Sequence, residues 1–353
     1  MAQRRVGRAG LPPDAVRSGP SSAQAHGRYA IAVPAPYRLD LTVSALRRLP
    51  TNAVDVLDAD GAYVRVLDGV RPAVVRVTQP GARTLEVEID GDRREHRRLL
   101  ELVRRTLGAE VGLGRFYRAA ARIGWLHPLA LRMRGVRPPR HPTLWEACVN
   151  AIVFQQVSVL AASAIMRRLV VALGEPRARA GVALYAFPGI ERVRDARDAR
   201  LRALGLSAGK LAALRRVGDA LARGTLSEAL LEERPTPAAA ALLRGVKGIG
   251  PWTAAVILLR GLGRLDVFPA NDSSLARSLA LVGGPDPAGV AAALDALGPQ
   301  RGMLYYHLLL ARLEARNELG CPSYARPDAQ SSSRAQAAAP GAGRRSLARR
   351  AGT

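Results

Sequence analysis

Lysine is almost absent from this chain: among 353 residues it occurs only at Lys210 and Lys247. Any chemistry through a lysine Schiff base must therefore use one of these two side chains. Cysteine is as scarce, at Cys148 and Cys321, without Cys-x-x-Cys spacing. That excludes a four-thiolate zinc site or an iron–sulfur cluster held by one chain. Cys148 falls in an apolar helical pattern and reads as a small buried hydrophobe. The histidines, His26, His96, His127, His141 and His307, show no metal-ligand spacing, so neither zinc nor a redox cofactor is expected. Nowhere do about eighteen apolar residues run together, and the Arg-rich start lacks an apolar signal segment. A reducing, cytoplasmic protein without a membrane anchor is the expectation, and a monomer.

What is present is apolar residue and positive charge. With 48% hydrophobic residues, the chain can bury the cores of two modest domains. It carries 53 basic against 29 acidic residues, a net charge of +24. Nucleic acid is the first partner class such an excess implies, because basic groups release counterions from phosphates. A GC-rich coding sequence, which raises Arg, Ala and Gly together, is the competing source of the charge.

The composition switches once along the chain. Residues 1–27 and 326–353 are Arg-, Gly-, Pro- and Ser-rich without periodicity, and read as a flexible basic arm and a disordered tail. From 28 to 92 the pattern is strand-like, with β-rich runs at 62–67, 73–78 and 84–89 bounded by Asp-Gly and Pro-Gly turns. A helix is expected at 43–49. From 93 to 325 the signal is helical. Thr143 precedes Glu146 at capping-box spacing, Ser207 opens a helix closed by Gly224, and Thr236-Pro237 opens another. The expected fold is α+β, a small mixed antiparallel β domain followed by an all-α domain.

The densest signal lies at 236–261. A helix from Thr236 ends at Gly245, Val246-Lys247-Gly248-Ile249-Gly250 turns the chain, and Pro251 opens a second helix through Arg260. Gly248 and Gly250 lack Cβ atoms, so backbone N–H groups can approach a phosphate, and the second helix aims its N-terminal partial charge at the same spot. Ile249 between them would anchor the turn in the core. Such contacts hold DNA without reading its sequence. A plain helical turn containing glycines is the alternative.

The segment Val246-Lys-Gly-Ile-Gly-Pro-Trp-Thr-Ala-Ala, followed by Leu265-Asp-Val-Phe-Pro-Ala-Asn-Asp272, resembles the helix–hairpin–helix DNA glycosylase superfamily. Within it, the chain is similar to the bacterial 3-methyladenine DNA glycosylase II family. The runs Leu144–Ser158, Leu201–Leu211 and Arg301–Leu309 carry the likeness further, to about residues 28–325. The resemblance implies a hydrolase that flips alkylated bases out of double-stranded DNA in base excision repair. It also implies that Val246, Lys247, Gly248, Ile249, Gly250 and Thr253 contact the DNA backbone. Carbonyl oxygens of Arg244, Val246 and Ile249 would hold a monovalent cation bridging to phosphate. Gln155 and Gln156 fall at an implied break between two helices, with Gln156 filling the gap left by the flipped base.

Two aspartates compete as catalyst. Asp266 matches a structural position and Asp272 the catalytic one, although Asp272 also stands where an ordinary helix N-cap would. A carboxylate there can stabilise the oxocarbenium character that builds as an N-glycosidic bond breaks, and can orient water. Superfamily members that also cleave the backbone place a lysine where this chain has Trp252, which implies hydrolysis without lyase activity. Trp252, Phe154, Gln155, Val256, Ser273 and Leu309 are the expected base pocket, although Val256, Ser273 and Leu309 replace aromatic rings. Helical spacing favours core packing for Tyr305, Tyr306 and His307, with Phe154, Tyr305 and Tyr306 as the aromatics that would otherwise compensate for the missing rings. A helix–hairpin–helix binder without catalysis, or an enzyme for oxidised or deaminated bases, are the alternatives.

Overall fold

A computed structural model of the chain describes residues 24–68, 71–179, 182–270 and 272–320. Most of the expected arm, the whole tail and Cys321 lie outside the described residues.

Strand β1 (Gln24–Ala32) starts four residues ahead of the boundary expected at 28. Helix α1 (Leu39–Arg47) follows, earlier than the expected 43–49, then β2 (Val56–Leu57), β3 (Tyr63–Leu67), β4 (Ala73–Gly81) and β5 (Thr84–Asp92). They form one antiparallel five-stranded sheet in the order β1-β5-β4-β3-β2. Alternation in β4 and β5 places Val75 opposite Ile89 and Val77 opposite Val87, all fully buried. This face packs on α1 and on α2 (His96–Thr106), whose Leu99 and Val103 join the same core. Helix α2, which lies beyond the boundary expected at 93, packs into this N-terminal core.

Short helices α3 (Gly114–Ala120) and α4 (His127–Arg132) lead to the buried α5 (Leu144–Val153) and to α6 (Val159–Leu173). Thr143 Oγ1 accepts the Glu146 N–H at 3.1 Å. The Glu146 carboxylate does not return to complete a capping box; it binds Arg65 of β3. Arg65 also meets Asp55 at 2.5 Å, and Tyr63 donates to Asp55 at 2.8 Å. This buried group ties the sheet to α5.

The segment expected to be wholly helical contains a hairpin, β6 (Pro176–Arg179) with β7 (Val182–Tyr185). Its Leu184, with Ala186, covers Val64 and Val66 on the second face of β3. Arg179 pairs with Glu88 and Asp90. Four-residue runs carry too little periodicity to announce themselves. The bare face of β3 explains why they form.

Helices α7 (Ile190–Arg194), α8 (Asp198–Ala203), α9 (Ala208–Ala222), α10 (Glu228–Glu232), α11 (Thr236–Arg244) and α12 (Pro251–Arg260) follow, with α9 and α12 packed directly against α5. Ser207 caps α9 as expected, accepting from the Lys210 N–H. Helices α13 (Leu275–Ala280), α14 (Val290–Leu297) and α15 (Gly302–Glu314) complete a second helical core around α15. The fold is α+β. No described helix is long and apolar enough to cross a membrane.

Candidate active-site cleft

The hairpin is α11, a five-residue turn and α12. Gly248 has φ +107°, and a Cβ there would lie 2.6 Å from the Ala213 Cβ. Only glycine satisfies both conditions. Ile249 is 4% exposed and packs into the core, pinning the turn. Gly250 is extended, at φ −86° and ψ 179°, and a Cβ there would meet nothing within 4 Å. The turn is therefore held from below by Gly248 and Ile249, and open above at Gly250. The first N–H groups of α12 have no intrahelical partner and are directed toward this open side.

The break after α5 is present. Lys210 Nζ donates to the Val153 carbonyl at 2.8 Å, satisfying the helix end. Gln156 then takes φ +52°, and Ser158 caps α6 by accepting from the Ala161 N–H. Gln155 Nε2 donates to the Gly248 carbonyl at 2.9 Å and to Thr253 Oγ1 at 2.8 Å, so the break is tied to the hairpin. Gln156 is exposed, as are Val157 at 37% and Leu160 at 58%. The two apolar side chains give this rim a wetted hydrophobic edge that sequence reading did not single out.

Between break and hairpin lies a cleft of about 1180 Å³. It gathers Phe154, Gln155, Gln156, Gly248, Ile249, Gly250, Trp252, Thr253, Asp272, Ser273 and Leu309, drawn from segments far apart in the chain. Val256 does not join them. It is 1% exposed in the core against α5, a correction to its expected place in the pocket. The resemblance placed it in the pocket, but its side chain packs into the core. Val246 and Lys247 stand on the turn outside the cleft lining. Asp266 is exposed and away from it.

Asp272 precedes α13 instead of capping it directly; the N-cap is Ser274. Its Oδ1 accepts from the Ser274 N–H at 2.8 Å and from Ser274 Oγ at 2.6 Å. Among the described residues Oδ2 has no protein donor. Asp272 is also the one carboxylate among the described lining residues, facing Arg48, Arg277, Arg312 and Arg316. The Trp252 indole N–H is buried without a hydrogen-bond partner.

Arg48 was not anticipated. It follows α1 in the N-terminal part of the chain, at φ +63°, and is 5% exposed. Its guanidinium lies 3.8 Å from the Phe154 ring centroid and donates to Tyr305 Oη at 3.2 Å. Burial pulls its pKa down to about 10. Tyr305 was expected as core packing, yet it lines the cleft. Burial acts to raise its phenol pKa, but the charges of Arg48, Arg260 and Arg312 outweigh that and hold it below the ordinary value. Arg260, at the end of α12, donates to the carbonyls of Ala45 and Leu46 at 3.0 and 2.9 Å, fixing the end of α1 from which Arg48 projects.

Comparison with known proteins adds to this geometry. Residues 149–295 match the family model of the HhH-GPD superfamily base excision DNA repair protein. The matched segment is about two fifths of the chain. The matched segment holds the break, the hairpin and Asp272; Arg48, Tyr305 and Arg312 lie outside it. The chain is 37% identical over 147 residues to the probable bifunctional transcriptional activator/DNA repair enzyme AlkA of Mycobacterium tuberculosis, covering 40% of this chain and 28% of that protein. It is 28% identical over 167 residues to a DNA-3-methyladenine glycosylase of Bacillus subtilis, covering 47% and 55%. The chain thus spans about half or less of these curated relatives. Among solved structures, a 3-methyladenine DNA-glycosylase from Archaeoglobus fulgidus superposes with a TM-score of 0.68 and 27% identity, covering 81% of this chain and 99% of that one. This likeness reaches well beyond the segment matched by the family model.

Proposed function

We propose that this protein is a monofunctional DNA glycosylase that removes alkylated bases from duplex DNA by hydrolysis. The observation that carries the reading is Asp272, held by Ser274 in a cleft bordered by the open side of the hairpin. A base inside a duplex is out of reach and must be flipped. The hairpin N–H groups at Gly248 and Gly250 and the start of α12, with Lys247 and Thr253, hold the phosphates. Gln156 enters the stack where the base has left, supported by Val157 and Leu160. The base lies against Trp252, with Phe154 beside it under Arg48.

As the bond between C1′ and the base nitrogen lengthens, positive charge builds on the sugar, and the Asp272 carboxylate stabilises it. Oδ1 is engaged with Ser274, leaving Oδ2 to orient a water whose oxygen bonds to C1′. The base departs with the bonding electrons, the water passes a proton to the Asp272 carboxylate and so to solvent, and an abasic site remains. No lysine lines the cleft among the described residues: Lys210 binds the Val153 carbonyl and Lys247 sits on the turn. This supports hydrolysis without strand cleavage. The carbonyls of Arg244, Val246 and Ile249 are available to a monovalent cation, with Val246 also accepting the Ile249 N–H at 3.0 Å.

The test is base release from alkylated duplex DNA by wild type and Asp272→Asn. Wild type should release the base and Asp272→Asn should lose most of that rate. Equal release by both would remove Asp272 as catalyst. Strand nicking without added base or heat would overturn the monofunctional assignment.

A further inference from the structure

Arg48 is a cation built into the wall of the cleft that receives the base, and it comes from outside the segment matched by the family model. Its guanidinium occupies a face of Phe154, the interaction that a positively charged base would otherwise make there. The same side chain donates to Tyr305 Oη, so the phenol oxygen accepts from Arg48 and its own O–H is free to donate. Arg48 Nη1 is buried and has no hydrogen-bond partner. Arg48, Tyr305 and Trp252 all line the cleft, and just beneath its surface Arg48 Nη1 and Trp252 Nε1 are buried donors without a partner. A buried donor left unpaired is costly, and an acceptor on the flipped base would relieve it.

The position is actively maintained. Arg48 has a positive φ of 63°, an unfavourable conformation for a non-glycine residue. Arg260 fixes the two carbonyls just ahead of it. Placing a long cation there, buried and strained, has little value for packing alone.

Building on the glycosylase reading above, we infer that Arg48 and Tyr305 select an uncharged base with hydrogen-bond acceptors on its edge over a cationic N-alkylpurine. A carbonyl oxygen or unprotonated ring nitrogen satisfies both donors. A base that already carries positive charge meets like charge at low dielectric and finds the Phe154 face taken. Arg48 is then a specificity-determining residue, and Asp272 remains the catalyst.

The experiment compares single-turnover excision of hypoxanthine and of 7-methylguanine from one duplex context by wild type, Arg48→Met, Arg48→Lys and Tyr305→Phe. Arg48→Met should lower the ratio of hypoxanthine to 7-methylguanine rates at least tenfold, with Tyr305→Phe moving it the same way and Arg48→Lys less. Both rates falling together, or a ratio rising toward hypoxanthine, would overturn the inference and leave Arg48 a packing residue. Binding of the same two duplexes to Asp272→Asn protein, with and without Arg48→Met, reads the discrimination in the absence of chemistry. A wild type that releases neither base sinks the glycosylase reading, while an Arg48-dependent preference in that binding assay would still uphold the selection.

Discussion

The side-chain amide of Gln155 donates to the hydroxyl of Thr253 at 2.8 Å, and so joins the break after α5 to the first turn of α12. Its second bond, to the Gly248 carbonyl at 2.9 Å, reaches the hairpin turn itself. The rim that would enter the duplex and the turn that would hold its backbone are therefore set by one residue. Gln155→Ala removes both bonds and should cost about 1–2 kcal/mol of stability. Its affinity for a duplex with an abasic analogue should fall several-fold. Thermal melting together with a binding titration checks this; unchanged affinity would show that the two loops are positioned independently.

The two hairpin glycines should respond in opposite ways. Gly248→Ala places a methyl 2.6 Å from the Ala213 Cβ and at φ +107°. It should destabilise the fold by roughly 2–4 kcal/mol. Gly250→Ala, with φ −86° and no neighbour within 4 Å, should leave the urea midpoint unchanged. The new methyl stands on the open side, so DNA binding should weaken, and alike for unrelated sequences. Loss confined to one sequence would rule out a phosphate-only role.

Arg65 is enclosed by Asp55 and Glu146, all three buried. Replacing it with methionine leaves two carboxylates without their cation and should cost about 3–5 kcal/mol. Denaturant titration of Arg65→Met measures the loss. Removing the two carboxylates in the same protein should recover part of it, and failure to recover any would show that the arginine acts through shape alone.

His307 lies fully buried in α15, its Nδ1 2.8 Å from the Met303 carbonyl, and burial pulls its pKa down to about 4. Above pH 6.5 it is neutral in both folded and unfolded chains and contributes no pH dependence. Between pH 6.5 and 4 the unfolded chain takes up a proton that the folded one refuses, so stability falls as the solution is acidified. The loss saturates below pH 4 at about 3 kcal/mol. His141, also depressed by burial, adds a slope of the same sign. The stability profile of His307→Gln should be flatter than wild type over this window, and parallel profiles would show that His307 titrates normally.

What the sequence revealed was local. The hairpin, the break at Gln155-Gln156 and Asp272 each sit in a short run whose residues constrain one another, and the structure brings all three to one cleft. Glycine at 248 is a direct record of backbone geometry and of Ala213 pressed against it. Arg48 left no such record. It is one arginine among many, directly after Arg47, and its role depends on Tyr305, more than 250 positions away. Val256 shows the converse error, since a match to a family position does not fix what the side chain meets. The β6–β7 hairpin was hidden because its cause, the uncovered side of β3, lies in another part of the chain.

The buried group of Asp55, Arg65 and Glu146 also bears on how the chain could be divided. Composition draws a border near residue 93, yet one carboxylate of this group is in α5 and its cation is in β3. A fragment cut at that border would carry half of a charge network into water and leave the other half exposed in its partner. The two compositional regions should therefore melt in a single transition. An exchange of the N-terminal sheet between relatives would succeed only where all three residues travel together.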